Sequence, residues 1–318
     1  MKSVLLTGAS GFIGQWLAQH LQKKDYRLLL GNRECREQSG ISGRSQHVLF
    51  DLEDEKSITT ALKNSPDVVI HLAGLAHNHS RDKEKIYRVN AEGTERLAKI
   101  ANNAGVKLFI YISTIKVHGK LSYDRPFTEY SPISAEDDYA LSKLKAEQAL
   151  RDMCDAGEMQ YIVLRPPLVY GPGVKANFMR LLTLIDKNTP LPLAGFNNCR
   201  SYIYVENLCH IIERLIHRDS CKNQVYLVKD FDLSTKDLVS EIALAFGKPA
   251  KLFNVPGYIL RIIAGLMGKT NQFESLYNNL CIDDSKLKNE LGSGPEIEMS
   301  TSIASTVNWY RNSHKDKS

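Results

Sequence analysis

The chain of 318 residues is 43% hydrophobic and 24% charged, with a formal net charge of +5 and a pI near 8.7, which excludes the disordered and fibrous classes. Its length suits one large or two medium domains around a substantial buried core. The positive balance suits an anionic small molecule, but no run of Lys and Arg forms a nucleic-acid patch, and no apolar run reaches the roughly 18 residues of a membrane span.

Met1 leads within three residues into a strand pattern, so no leader segment is expected and the cytoplasm is the expected location. The six cysteines, Cys35, Cys154, Cys199, Cys209, Cys221 and Cys281, show no Cys-x-x-Cys spacing and read as reduced packing residues.

In chain order, 3–7, 27–30, 47–50, 68–72, 108–112 and 161–164 read as short apolar strands. Amphipathic helices separate them, among them 13–22 with Ile13, Leu17 and Leu21, and 90–104 with Leu97, Ile100 and Ala101. Strands alternating with helices predict an α/β chain with a doubly wound parallel sheet of the Rossmann type. After Arg165-Pro166-Pro167 the texture turns to Gly171-Pro172-Gly173 and scattered prolines. The expected division is therefore 1–165 for the sheet and 166–318 for a smaller lobe, with a strand and helix near 200–216 able to return to the first part. The stretch 258–267 is apolar apart from Arg261 and too short to cross a bilayer. It reads as a buried helix or lobe contact, with an interfacial helix as the alternative.

Thr7 ends the first strand, and Gly8, Gly11 and Gly14 follow as a helix begins (TGASGFIG). Glycines in this setting permit the tight turn, the approach of the backbone to a pyrophosphate and close packing of helix on strand. The amides near Phe12 and Ile13 supply donors and partial positive charge. A bound dinucleotide is the expectation. The second strand runs out at Gly31-Asn32-Arg33 without the Asp or Glu that would take the adenosine ribose hydroxyls of NAD. Arg33, with Arg36 as an alternative, suits a 2'-phosphate, so NADP(H) is favoured and NAD(H) stays open. Asp51 and Leu52 stand where they can meet the adenine, or Asp51 can cap the next helix.

Tyr139 and Lys143, four apart in a helical pattern that follows Asp137 and Asp138, fall on one face. An ammonium there lowers the tyrosine pKa toward the range of a working acid or base. Together with TGASGFIG, His71-Leu72-Ala73-Gly74, Ser113-Thr114, Asn90-Ala91-Glu92-Gly93-Thr94 and Arg165-Pro166 before Val169-Tyr170-Gly171-Pro172, this resembles the extended short-chain dehydrogenase/reductases of the NAD-dependent epimerase/dehydratase family. The likeness covers nearly the whole chain.

The resemblance implies a catalytic trio: Thr114 bonds the reacting oxygen, Tyr139 exchanges its proton, and Lys143 binds the nicotinamide ribose. It also implies cofactor contacts at Leu72, Ala73, Gly74 and Asn90, and UDP-sugar contacts at Ser113, Lys116, Asn177 and Arg200, with a homodimer as an associational expectation; no metal is expected, because the histidines have no Cys, Asp or Glu partner at ligand spacing. Ile115-Lys116 replaces the Asp-Glu of the 4,6-dehydratases, which argues against dehydration, and Leu168 replaces an Asn of many epimerases. The closest likeness is to bacterial UDP-sugar 4-reductases that act on a 4-keto-6-deoxy-N-acetylhexosamine for surface polysaccharide, giving UDP-N-acetylquinovosamine or UDP-N-acetylfucosamine. UDP-hexose 4-epimerisation is the main alternative, and a non-catalytic dinucleotide sensor a distant one. His77 and His79 read as loop residues and His118 as a turn residue.

Overall fold

The computed structural model describes residues 1–34, 44–63, 66–75, 82–123, 125–292 and 294–314. Arg36, Cys35, His77 and His79 lie outside the described residues.

The first part runs β1 (Lys2–Thr7), α1 (Phe12–Gln22), β2 (Tyr26–Asn32), β3 (Ser45–Leu49), α2 (Glu55–Leu62), β4 (Val68–His71), α3 (Lys83–Tyr87), α4 (Gly93–Asn103), β5 (Leu108–Ile112), α5 (Asp138–Asp155) and β6 (Gln160–Arg165). Next come β7 (Leu168–Tyr170), α6 (Ala176–Asp186), β8 (Arg200–Tyr204), α7 (Val205–Leu215), β9 (Gln224–Leu227) and β10 (Phe231–Leu233). Five helices close the chain: α8 (Thr235–Ala245), α9 (Gly257–Leu266), α10 (Thr270–Tyr277), α11 (Ser285–Leu291) and α12 (Met299–His314).

Seven strands form one sheet in the order β3-β2-β1-β4-β5-β6-β9, and every neighbouring pair is parallel. Its central strands are apolar on both faces, as a sheet covered by helices on both sides requires. Side-chain alternation then sorts the residues. Val4 and Leu6 meet Leu17, Leu21, Leu208 and Ile212 of α1 and α7 on one face. Leu5, Val69 and Phe109 meet Leu97, Ala101 and Leu150 of α4 and α5 on the other.

The segment 200–216 divides. β8 joins β7 and β10 in a separate three-stranded sheet, whereas α7 packs on α1 over the large sheet. Around the small sheet a third core gathers Tyr170, Phe178, Leu182, Tyr202, Leu238 and Val307. Phe12, Ile13 and Trp16 of α1 reach into it, and the Trp16 indole donates to the Pro172 carbonyl at 2.9 Å. The helix that follows the glycine loop is thus clamped to both parts.

Two expectations are corrected. Cys199 and Cys281, 82 residues apart, form a disulfide, which no local spacing could reveal, while Cys154, Cys209 and Cys221 are buried and free. The helix at 257–266 is not a buried helix: Ala264 is its only buried residue, Leu266 is 86% exposed, and the helix touches the lobe core through Leu260.

Candidate active site

The strand order reverses between β1 and β4, so the loops after these strands diverge and leave a crevice at their C-terminal ends. Gly8, with φ +70°, begins the first loop. A Cβ on Gly14 would stand 2.1 Å from the Gly8 carbonyl oxygen, so α1 can sit this close only with glycine there. The helix cost of that glycine, about 1 kcal/mol, is outweighed by burying Leu17 and Leu21, at about 1.5–3 kcal/mol each. No side chain caps the N-terminus of α1, so its first amides face the crevice as an anion site. These features fit a dinucleotide pyrophosphate.

One cavity of about 240 Å3 runs from the glycine loop to the end of β2, lined by Gly8, Gly11, Asn32, Arg33, Asp51 and Leu52. Ala73 and Gly74 line its other wall. Arg33 stands where the sequence pattern put it, but Glu53 lines the same space and pairs with Arg88 at 2.6 Å. This end of the cavity therefore carries both a cation and carboxylates. Asn32 turns inward, its Oδ1 accepting from the Ser10 amide at 3.0 Å. Asp51 is not the cap of α2: Asp54 takes that role, accepting from the Lys56 amide, and Asp51 accepts from Glu53 in a turn. Asn90 lies in a π turn, Arg88–Glu92, between α3 and α4. Its side chain accepts from the Leu75 amide at 2.7 Å and donates to the Leu75 carbonyl and to Ser142. It shapes the cavity wall through Leu75 and α5.

A second cavity of about 260 Å3 shares Gly8, Gly11 and Leu72 with the first and continues past Phe12 and Ile13 to Ser113, Thr114, Tyr139 and Lys143. Asp137 caps α5, accepting from the Ala140 amide at 2.8 Å, which sets Tyr139 in the first turn and Lys143 one turn on. Thr114 follows β5 and caps a single 3-10 turn, Ile115–His118.

The expected tuning of Tyr139 is corrected. Burial, followed by the Asp137 charge, pushes its phenol up to about 12. Burial also takes Lys143 down to about 7, against the pull of Glu147. Loss of hydration penalises phenolate and ammonium alike, and it is the largest cause of both shifts. As the protein's own groups set it, Tyr139 is a neutral phenol, a proton donor.

The Lys143 shift carries a stability prediction. Its folded pKa lies below the unfolded value of 10.5, so its burial costs stability fully below pH 7, and the cost fades as pH rises toward 10.5. Lys143→Met is expected to melt above wild type below pH 7, with the two converging toward pH 10.5, and to lose turnover. Equal melting temperatures across that range would refute the assignment.

Behind the trio lie two buried assemblies. Lys143 Nζ sits 4.4 Å above the Tyr111 ring, which stacks on His71. His71 bonds Thr7 at 2.6 Å and Thr94 at 3.0 Å; burial and the Lys143 charge hold it neutral. The second assembly centres on Glu147, fully buried one further turn along α5. It accepts from Ser113 at 2.5 Å, from Arg165 Nε at 3.0 Å and from Arg151 at 3.1 Å. Arg165 also donates to His118 Nε2 at 2.8 Å, and the other ring nitrogen of His118 then donates to the Pro132 carbonyl. Glu147 went unread in the sequence, although its four-residue spacing from Lys143 was the available signal. Ser113, expected to meet substrate, lines the cleft and donates a hydrogen bond to Glu147.

Of the other expected substrate residues, Lys116 lies 6.0 Å from the Tyr139 ring centre and 3.6 Å from Asp137. Asn177 is exposed in the first turn of α6. Arg200 donates to the Asn278 carbonyl at 2.8 Å beside the disulfide. Neither Asn177 nor Arg200 lines the Tyr139 cavity. Among the described residues, His20, His210 and Glu213 form one candidate metal cluster and Cys199, Asp232 and Cys281 another. In the first, His20 lies 2.7 Å from Glu213 and His210 2.8 Å from Glu296; in the second, the two cysteines are joined in the disulfide.

The sequence profile of the NAD dependent epimerase/dehydratase family matches residues 4–228. The chain is 39% identical over 306 residues to a UDP-glucose 4-epimerase of Vibrio cholerae, covering 92% of this chain and 91% of that one. Two solved structures share the fold. The UDP-glucose 4-epimerase of Thermotoga maritima with UDP-glucose has a TM-score of 0.79 at 20% identity, over 98% of this chain and all of that one. WbmG of Bordetella bronchiseptica with NAD has a TM-score of 0.78 at 19% identity, over 98% and 94%.

Proposed function

The chain belongs to the NAD dependent epimerase/dehydratase family, and we propose that within it the protein is a UDP-sugar 4-reductase for surface polysaccharide, acting on a UDP-4-keto-6-deoxy-N-acetylhexosamine. The carrying observation is one cavity lined by Thr114, Tyr139 and Lys143 and continuous with the glycine-loop groove. That a nucleotide-sugar enzyme acts here follows from the family; reduction is our reading.

In that reading residues 1–165 hold the dinucleotide and 166–318 the UDP-sugar, with Lys116, Asn177 and Arg200 as its cationic and polar contacts. NADP(H) is favoured, NAD(H) is the alternative, and the enzyme works in the cytoplasm, as a homodimer and without a metal. A disulfide such as Cys199–Cys281 is rare in a reducing cytoplasm, so its state in the cell tests that part of the reading.

When bound, the nicotinamide supplies the hydride. Thr114 donates a hydrogen bond to the ketone oxygen. Tyr139, a phenol held neutral by burial, gives its proton to the oxygen as carbon 4 is reduced. Lys143 would hold the nicotinamide ribose. Ile115 and Lys116 offer no acid for expelling water, so the chemistry stops at reduction.

The 39% identity to a UDP-glucose 4-epimerase favours a second reading, in which the same trio oxidises and re-reduces a UDP-hexose. Purified protein offered a UDP-4-keto sugar is expected to consume NADPH mole for mole. Interconversion of UDP-glucose and UDP-galactose without net cofactor would overturn reduction in favour of epimerisation.

The cofactor preference rests on Arg33. Losing a hydrogen bond to a charged phosphate costs about 1.5 kcal/mol or more, so Arg33→Ser should raise KM for NADPH by about tenfold and leave NADH nearly unchanged. Parallel changes for both cofactors would remove Arg33 from 2'-phosphate recognition.

A further inference from the structure

Sixteen large hydrophobic side chains are exposed among the described residues, and nine of them fall between Phe253 and Tyr277. They crowd onto α9 and α10. α9 is anchored from beneath by Ala264 and Leu260, and Gly257 lets it approach the Tyr277 ring of α10. Tyr258, Ile262, Ile263, Leu266 and Met267 point away from the lobe, each 46% exposed or more. A helix apolar on nearly all sides normally lies in a core or against lipid, and an outward patch of this kind marks an interaction surface.

We propose that this α9–α10 surface docks onto an anionic lipid bilayer. At 10 residues α9 is only about 15 Å long, far too short to cross and of a size to lie in the headgroup plane. Its charge fits that partner. From residue 248 to 279 the sequence holds Lys248, Lys251, Arg261 and Lys269 against one acid, Glu274, and Lys251, Arg261 and Lys269 are exposed. The side chain of Glu274 lies 3.8 Å from Arg261, leaving Lys251 and Lys269 to meet headgroups.

A second copy of the chain fits less well. A two-fold contact sets the same patch against itself, bringing these cations together, and it covers one face of a helix that is exposed on several. If Arg200 meets the UDP-sugar, as in the proposed reading, the docked surface also lies next to the substrate side of the molecule, because α10 leads directly into Asn278, whose carbonyl accepts from Arg200. A membrane contact there would hold the mouth of the substrate lobe close to the bilayer.

The test is flotation of the full chain with vesicles of phosphatidylcholine alone and of phosphatidylcholine mixed with phosphatidylglycerol. It needs no substrate, so it stands or falls apart from the proposed reaction. Binding is expected to the mixed vesicles and to weaken as salt is added. Lys269→Gln should weaken it about fivefold, and Ile262→Glu with Leu266→Glu should abolish it while NADPH binding stays intact. Failure to float with the mixed vesicles overturns the proposal. So does binding of equal strength to both vesicle types, or a concentration-dependent dimer that Leu266→Glu dissociates.

Discussion

Tyr139→Phe is expected to lower kcat by roughly 10²–10⁴-fold while the melting temperature and NADPH affinity stay close to wild type. The substitution removes one oxygen from a cavity wall and leaves the ring in place, so packing is preserved. What is lost is the proton that must reach the sugar oxygen. Because burial and the Asp137 charge hold this phenol at about 12, it stays protonated throughout the neutral range, and its own ionisation should not limit reduction there. The oxidative direction is different, since it needs the phenolate. Tyr139→Phe assayed in both directions, with melting curves alongside, separates a proton donor from a packing residue. Wild-type turnover in the variant would place the donor elsewhere.

Much of the large sheet was legible because its signals are local. The strand expected at 108–112 is β5 to the residue, and the others differ at their ends by one or two residues, where pairing with neighbours rather than propensity decides. β9 was missed: four residues, half of them partly exposed, carry no period, and only the edge of β6 makes them a strand. Tyr139, Lys143 and Thr114 were legible through spacing and resemblance, and they do line one cavity. What sequence could not give is everything set by distance in the chain: the Cys199–Cys281 bond, and the hydrogen bonds that tie Ser113 to Glu147 and Asn90 to Leu75. The direction of the Tyr139 shift was also hidden, because it depends on how dry the cleft is.

Glu147→Leu should produce the largest loss of stability of any single change near the site. It leaves the Arg165 guanidinium, 2% exposed, without its carboxylate, and breaking a buried pair in this way costs about 3–5 kcal/mol. Removing both charges is a different matter. Glu147→Leu with Arg165→Met replaces the pair by apolar side chains of similar size, and such replacements are often neutral or stabilising. The double variant should therefore melt close to wild type, with a large coupling energy in the double-mutant cycle. Activity decides what the pair is for. Glu147 accepts a hydrogen bond from Ser113, next to Thr114, and is the carboxylate that supports the Lys143 ammonium. If it positions the trio, the double variant regains stability but not kcat, and its pH–rate profile moves to lower pH as the ammonium is lost sooner. If kcat and the profile return together with stability, the pair only holds α5 against β6, and Ser113 and Lys143 are placed by the backbone alone.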